Sequence, residues 1–278
     1  MRKITLTVLT VVLLPVSAMS QPAGWNDPFP PHRVMDNLYY VGTTMLGVFL
    51  VTTPEGHILV NGGYESTIPV IREAVEELGF RFGDIRIVLS THAHPDHADG
   101  DALIKELTGA EIVTSRAEAP ALREIRPGGK EHPIDRMLED GDQVTLGGTT
   151  LTAHLMPGHT KGCTAWSMEL AEEGRTYQAL LECSLNGQFV QLVGNEDYPE
   201  IAEDFMATFE KARALPVDLF VSSHGVFYDL DAKYEKLQAR APGDPNPFVD
   251  PEGYQAHIDE FEQTFLATFQ RQRDAANN

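Results

Sequence analysis

The chain has 278 residues, 42% hydrophobic and 22% charged, the composition of an ordinary globular protein long enough to bury a sizeable core. Lys and Arg number 21 against 41 Asp and Glu, and the resulting charge of -20 excludes nucleic-acid binding, because phosphate contacts need cations. Two cysteines exclude a disulfide-dense scaffold and a four-cysteine zinc site.

Met1-Arg2-Lys3, the apolar run Ile4 to Val16 and Ala18-Met19-Ser20 together have the layout of a cleaved export signal over residues 1–20. The run is shorter than the ~20 residues a membrane span needs, and Pro15 interrupts it, so no stable membrane anchor is expected. The mature chain, residues 21–278, is expected as one domain working in the periplasm or outside the cell, since no linker divides it.

From Asn37 to Val60 the runs LYYVG, GVFLVTT and HILV, broken by Gly and Pro, predict short antiparallel strands. Ile68, Ile71, Ala74, Val75 and Leu78 form a helical stripe, and Arg86 to Leu89 reads as a buried strand running straight into a histidine-rich segment at Thr91. A helix over Ala102 to Leu107 and a strand at Glu111 to Val113 follow, then strands near 143–146 and 149–155. Residues 164–182 read as a hairpin turning at Glu172-Glu173-Gly174-Arg175. Pro199 to Leu215 is expected as a helix with Ile201, Phe205, Phe209 and Ala212 on one face, and Leu219 to Val221 as a strand ending in Ser222-Ser223-His224. Arg240 to Pro251 holds four prolines and reads as a loop before a terminal helix, whose Tyr254, Ile258, Phe261, Phe265 and Phe269 face the core. Both halves deliver histidines from the end of a short apolar strand, and the alternation implies a mixed α/β layered fold.

Residues 91–97 read Thr-His-Ala-His-Pro-Asp-His. Alternate residues of extended backbone share a side, so His92 and His94 can grip one ion. Pro95 redirects the chain in extended or turn conformation, so that Asp96 and His97 face a second ion. Imidazole and carboxylate donors suit zinc, and a set that leaves positions open suits catalysis. His159, on the turn Pro157-Gly158-His159-Thr160, and His224 are the candidates that complete the set. His32, His57, His132, His154 and His257 lack such neighbours and read as solvated or satisfied polar residues. Cys163 and Cys183 lie symmetrically about Glu173 and read as cross-strand neighbours able to pair in an oxidising compartment; the competing reading makes Cys183 a metal ligand.

These segments resemble the metallo-β-lactamase superfamily. The resemblance runs from WNDPFPPHRV and NLYYVGT through THAHPDHADG and AHLMPGHTKGCTAW to GNEDYPEIAEDF and RALPVDLFVSSH, and its surrounding segments are similar to the third subclass of zinc β-lactamases. It implies an α/β fold of αββα sandwich type, two similar halves with the metal site at the edge of the sheets. It also implies two zinc ions per chain, His92, His94 and His159 on the first and Asp96, His97 and His224 on the second. Asp96 is the implied catalytic residue, orienting the water that attacks a β-lactam amide, an activity that confers antibiotic resistance.

Relatives that cleave thioesters and lactones resemble the motif too, but carry a metal-bridging aspartate just after the hairpin, where first-subclass lactamases place a cysteine. Here the stretch is Leu181-Glu182-Cys183-Ser184-Leu185-Asn186. By the family's spacing Ser184 takes that position and Cys183 falls one residue earlier, which favours the Cys163–Cys183 disulfide. Ser184 and Asn186 are the candidates for holding a substrate carboxylate. An exported hydrolase of lactones or thioesters on the same fold is the alternative, and an exported metal-binding protein without catalysis the third reading. The chain departs from the family with Asn61-Gly62-Gly63 in place of Asp-Gly-Gly, and with Asp99-Gly100 in place of Gly-Gly. Phe189 and Val190 stand where some relatives place a tyrosine donor, and the loops 114–137 and 185–194 are expected to shape the pocket.

Overall fold

The computed structural model describes residues 24–277, so the export signal read over 1–20 lies outside the described residues. The chain runs through β1 (His32–Met35), β2 (Leu38–Tyr40), β3 (Phe49–Thr53), β4 (Gly56–Val60), α1 (Ile68–Glu77), β5 (Ile85–Leu89), α2 (Pro95–Ala98), α3 (Asp101–Thr108), β6 (Glu111–Ser115), α4 (Ala119–Glu124) and β7 (Arg136–Leu138). It continues with β8 (Gln143–Leu146), β9 (Thr149–Leu155), β10 (Thr164–Glu172), β11 (Arg175–Glu182), α5 (Ile201–Ala214), β12 (Leu219–Ser222), α6 (Leu230–Ala239) and α7 (Pro251–Ala276). Strands β1 to β7 form a seven-stranded sheet in chain order, and β12-β11-β10-β9-β8 form a five-stranded one.

The apolar runs of β3 to β6 are continuous because both faces of the first sheet are covered. Side chains alternate along a strand, so Phe49, Val51, Ile58, Val60, Ile87, Leu89 and Val113 enter the core shared with the second sheet, among Trp166, Met168 and Leu181. Their neighbours Leu50, Leu59, Val88 and Ile112 face the other way, into a second core closed by Ile68, Ile71 and Val75 of α1 and Ile104 of α3. Across the molecule, Phe205 and Phe209 of α5 and Phe265 of α7 pack into the first cluster with Phe220 of β12. The order is therefore helix, sheet, sheet, helix: the expected αββα sandwich.

Strands β4, β5, β6 and β7 pair in parallel, as do β11 and β12. Loops at the carboxyl ends of parallel strands are where such sheets present functional groups. The segment from Thr91 leaves the end of β5 and His224 leaves the end of β12. A bridge between Leu46 and His224, and Gly47 N–H donating to Ser223 O at 2.8 Å, bring the two sheet edges together.

The hairpin turns on Glu173 and Gly174, both in the left-handed region (φ 51° and 78°), so Glu172 pairs with Arg175 and Trp166 with Leu181. Direct partners thus run one residue out of step with the symmetry about Glu173, and Cys163 is not opposite Cys183 in the ladder. The two sulfurs nevertheless form a disulfide, with Cα atoms 5.9 Å apart, because both cysteines lie beyond the strand ends, where the backbone leaves the pleat. Three further elements differ from expectation. The segment 114–137 carries α4 rather than a plain loop, β1 precedes the first expected strand, and α6 occupies a stretch with no apolar stripe, burying just Leu230 and Lys233. The proline-rich loop stops one residue early: Pro251 opens α7, with Asp250 as N-cap accepting from Gly253 N–H at 2.9 Å.

Candidate metal centre

After β5 the backbone stays extended through His94 (φ -108°, ψ 145°), and Pro95 then opens the short turn α2 instead of continuing the strand. This switch aims His92 and His94 one way and Asp96 and His97 another. His159 arrives from the turn after β9, where Gly158 has φ 135° and a Cβ would meet the Phe205 ring, so α5 packs directly under the ligand loop. His224 arrives from the end of β12, its ring held between Trp25 at 5.5 Å and Phe227 at 5.3 Å.

The donors converge in two clusters, His92–His94–His159 and Asp96–His97–His224, with the donor atoms of each within 4.8 Å of one another. The structure thus brings together every metal ligand expected from the sequence. The His92 and His97 rings, 4.3 Å apart, make the clusters adjacent. In the second cluster Asp96 Oδ2 lies 3.0 Å from His97 Nε2 and 3.5 Å from His224 Nε2.

Whether these groups fit a cation is decided by their free nitrogens. His92 Nδ1 donates to Thr91 Oγ1 at 3.1 Å, and His92 Nε2 is buried with no hydrogen-bond partner. His159 Nδ1 donates to Asn186 O at 2.8 Å, leaving Nε2 as its ligand atom. A second partner on the far ring nitrogen fixes the tautomer a metal ligand needs. Burial, then the neighbouring imidazoles, push His92 well below the usual histidine range and His159 down to about 3. Burial and His97 take His224 to about 4, and burial lowers His94. Burial alone would lift the Asp96 carboxyl, but His97 and His224 hold it well below the usual carboxylate range. His92, His94, His159 and His224 are therefore neutral imidazoles and Asp96 a carboxylate at neutral pH, the donor chemistry that suits zinc.

Asn61 sits beneath this loop in the left-handed region (φ 70°), 1% exposed. Its Oδ1 accepts from Thr91 Oγ1 at 2.6 Å, and its Nδ2 donates to Gly47 O at 2.9 Å. The relay Asn61–Thr91–His92 uses the amide at both ends, so a carboxylate here would face the Gly47 carbonyl without a proton to share. Asn61→Asp is expected to destabilise the metal-free fold by about 1–3 kcal/mol in urea unfolding. Unchanged stability would remove the amide from this role.

Beside it, Asp101 is fully buried, accepting from Ser90 Oγ at 3.1 Å, with His132 Nε2 at 3.2 Å. Burial opposes protonation of His132, but Asp101 and the Ala98 carbonyl outweigh it and raise its pKa above 6.5. The charged pair therefore stabilises the fold below the unfolded histidine's pKa and is lost as pH rises through the higher folded value. Wild type and His132→Gln are expected to differ most below about pH 6 and to converge at higher pH. A gap independent of pH would rule out the charged pair.

Sequence reasoning had no signal for Glu118. This carboxylate on the turn before α4 is 1% exposed, and it accepts the N–H of Ala93 on one oxygen and of Gly162 on the other, each at 2.6 Å. Burial pushes its carboxyl up, against the pull of these two donors and of the Thr160 hydroxyl. His32, His57, His132 and His257, expected as solvated or satisfied, are buried, and none of them joins either cluster. Ser184 is 3% exposed, its Oγ accepting from Asn186 N–H at 3.2 Å, and Asn186 Oδ1 accepts from Gln188 N–H at 2.9 Å. A cavity of about 800 Å³ beside Asp36, Thr152 and Gln178 includes none of the cluster residues, so the centre is located by its donors, not by cavity volume.

Comparison with known proteins agrees with this geometry. Residues 48–171 match the profile of the metallo-beta-lactamase superfamily. The structure is similar to the FEZ-1 metallo-beta-lactamase of Legionella gormanii (38% identity, TM-score 0.84), over 89% of this chain and 98% of that one. It is also similar to BJP-1, a subclass B3 metallo-beta-lactamase of Bradyrhizobium japonicum (35%, TM-score 0.85), over 91% and 98%. Hydroxyacylglutathione hydrolases are similar over shorter stretches: 44% over 79 residues for Hyphomonas neptunium and 30% over 167 residues for Methylococcus capsulatus. The chain spans 27% and 56% of those two proteins. With two sheets in the same arrangement, two adjacent donor clusters, and identity above one third along nearly the whole of both solved structures, the chain belongs to the metallo-β-lactamase superfamily.

Proposed function

We propose that the protein is a metallo-β-lactamase that hydrolyses the β-lactam amide with two zinc ions, works outside the cytoplasm and protects its host from these antibiotics. The likeness to two metallo-β-lactamases over nearly their whole length carries this reading, since the two hydroxyacylglutathione hydrolases above match over 27% and 56% of theirs. The residue after the hairpin supports it: Ser184 stands where the thioester- and lactone-cleaving relatives carry a bridging carboxylate. The disulfide suits an oxidising compartment.

Zinc held by the two clusters would supply Lewis-acid polarisation of the carbonyl and a water acidic enough to attack near neutral pH. The chain's own residues do the rest. Asp96, ionised throughout the working range, orients the attacking water through its carboxylate. Asn186 is fixed by its own carbonyl, which accepts from His159, and its Nδ2 amide is the donor left for a substrate carboxylate. Ser184 Oγ accepts the Asn186 backbone N–H, which steadies the same turn, and its hydroxyl proton is left to offer. Tyr64, pushed up to about 12 by burial and then by Asp96 and Asp99, keeps its proton and remains a donor beside the second cluster.

The zinc-loaded protein is expected to hydrolyse a carbapenem and a penicillin, and to lose both activities on chelation. Two bound zinc ions with no turnover of either, but turnover of a lactone or a hydroxyacyl thioester, would replace this substrate class with the alternative one.

A further inference from the structure

The two clusters differ in charge. The second includes the Asp96 carboxylate, whereas the first consists of three imidazoles, so a divalent ion there gains no negative charge from its own ligands. Burying uncompensated charge is costly, and a protein offsets it with a fixed opposite charge close by.

We propose that Glu118 is the positioning residue of the first metal site: it clamps the His92–His94 segment to the His159 loop and supplies the negative charge that the three imidazoles lack. The proposal rests on reading the clusters as metal sites, but not on the choice of substrate. Ala93, whose N–H Glu118 accepts, lies between the two histidines of the motif, and Gly162 lies three residues beyond His159. One carboxylate thus bonds both backbone segments that bring ligands to this ion. Both of its oxygens receive N–H donors, the pattern that suits the ionised form. Among the described residues no Lys, Arg or His forms an ion pair with it. A carboxylate 1% exposed and without a cationic side chain needs a positive partner, and an ion on the first cluster, whose His92 and His94 flank the bonded Ala93, would supply it.

The stretch that carries Glu118 has an uncharged link to the same His159 loop, which gives the control. Ser115 Oγ donates to Gly162 O at 2.8 Å, and a Cβ on Gly162 would run into Ser115 Oγ and the Glu118 backbone. Loss of this hydroxyl loosens the contact but leaves the charge.

The test compares Glu118→Gln with Ser115→Ala. Zinc affinity at each site is read by chelator competition, and cobalt(II) absorption separates the three-imidazole site from the carboxylate-containing one. His159→Ala provides the reference spectrum of the second site alone. Glu118→Gln is expected to weaken the first site by ~10–100-fold, the range for losing an outer partner of a metal ligand, with the second site near wild type. Ser115→Ala is expected to lower the unfolding midpoint of the metal-free protein and to keep first-site affinity. Wild-type affinity at both sites in Glu118→Gln, or an equal first-site loss in Ser115→Ala, would overturn the proposal. A Glu118→Gln chain that cannot fold even with excess zinc would overturn it as well, making the residue part of the fold alone. Because these readouts are metal binding, a chain that binds zinc normally but spares β-lactams leaves this inference standing.

Discussion

His159→Ala is expected to bind one zinc ion instead of two, and to lose more turnover than the ~10–100-fold that outer-shell changes cost. Its Nε2 is the sole donor reaching the first cluster from the loop after β9; the other two come from the segment after β5. The substitution also removes the proton that Asn186 O accepts, so the loop holding the candidate substrate donor loosens together with the metal site. KM is therefore expected to rise as kcat falls. His257→Ala is the control: that ring is buried against Phe227 and Phe261, but lies outside both clusters. Equal losses in the two variants, with zinc stoichiometry unchanged in both, would count against the ligand assignment.

Replacing Cys163 and Cys183 together by alanine is expected to destabilise the protein by about 3 kcal/mol, the cost of releasing a loop of this size in the unfolded chain. For a protein of this length that is a fall in Tm of about 6–12 °C. The bridge closes the hairpin β10–β11 at the end nearest the metal centre, and Cys183 Sγ lies 3.6 Å from both His92 Nδ1 and Thr91 O. Its removal is thus expected to raise the zinc dissociation rate while keeping two ions bound at saturation. A double variant as stable as wild type under oxidising conditions would show that the bridge contributes nothing to the fold.

The candidate ligands can be picked out of the sequence because each lies in a local pattern: alternation in an extended segment, a glycine turn, the end of an apolar strand. The helical faces were legible for the same reason, and Ile201, Phe205, Phe209 and Ala212 are all buried. What could not be read depends on contacts between distant segments. Glu118 is one acid among 41 Asp and Glu, and the fold alone brings it to Ala93 and Gly162. Asn61 reads as a defect against the family pattern, yet its amide meets the Gly47 carbonyl just before β3, which a carboxylate could not serve. The hairpin register was missed by one residue because the left-handed Glu173-Gly174 pair sets a two-residue turn. Helix α6 buries just two side chains and so leaves no stripe to read.

The backbone around the histidine segment has a kinetic consequence. Thr164 N–H donates to Thr91 O, Gly62 N–H to His97 O, Gly100 N–H to Gly63 O and Asn61 N–H to Leu89 O, at 2.8–3.0 Å. These bonds tie the segment to two places in the chain, residues 61–63 and Thr164. In a zinc finger, metal uptake and folding are one event, and chelation denatures the protein. On the reading proposed above, the histidine segment is held by backbone bonds to the rest of the fold, so removing zinc is expected to leave the fold intact. Zinc resupply after chelation is then expected to restore metal binding without a refolding phase, where a zinc finger would have to fold again.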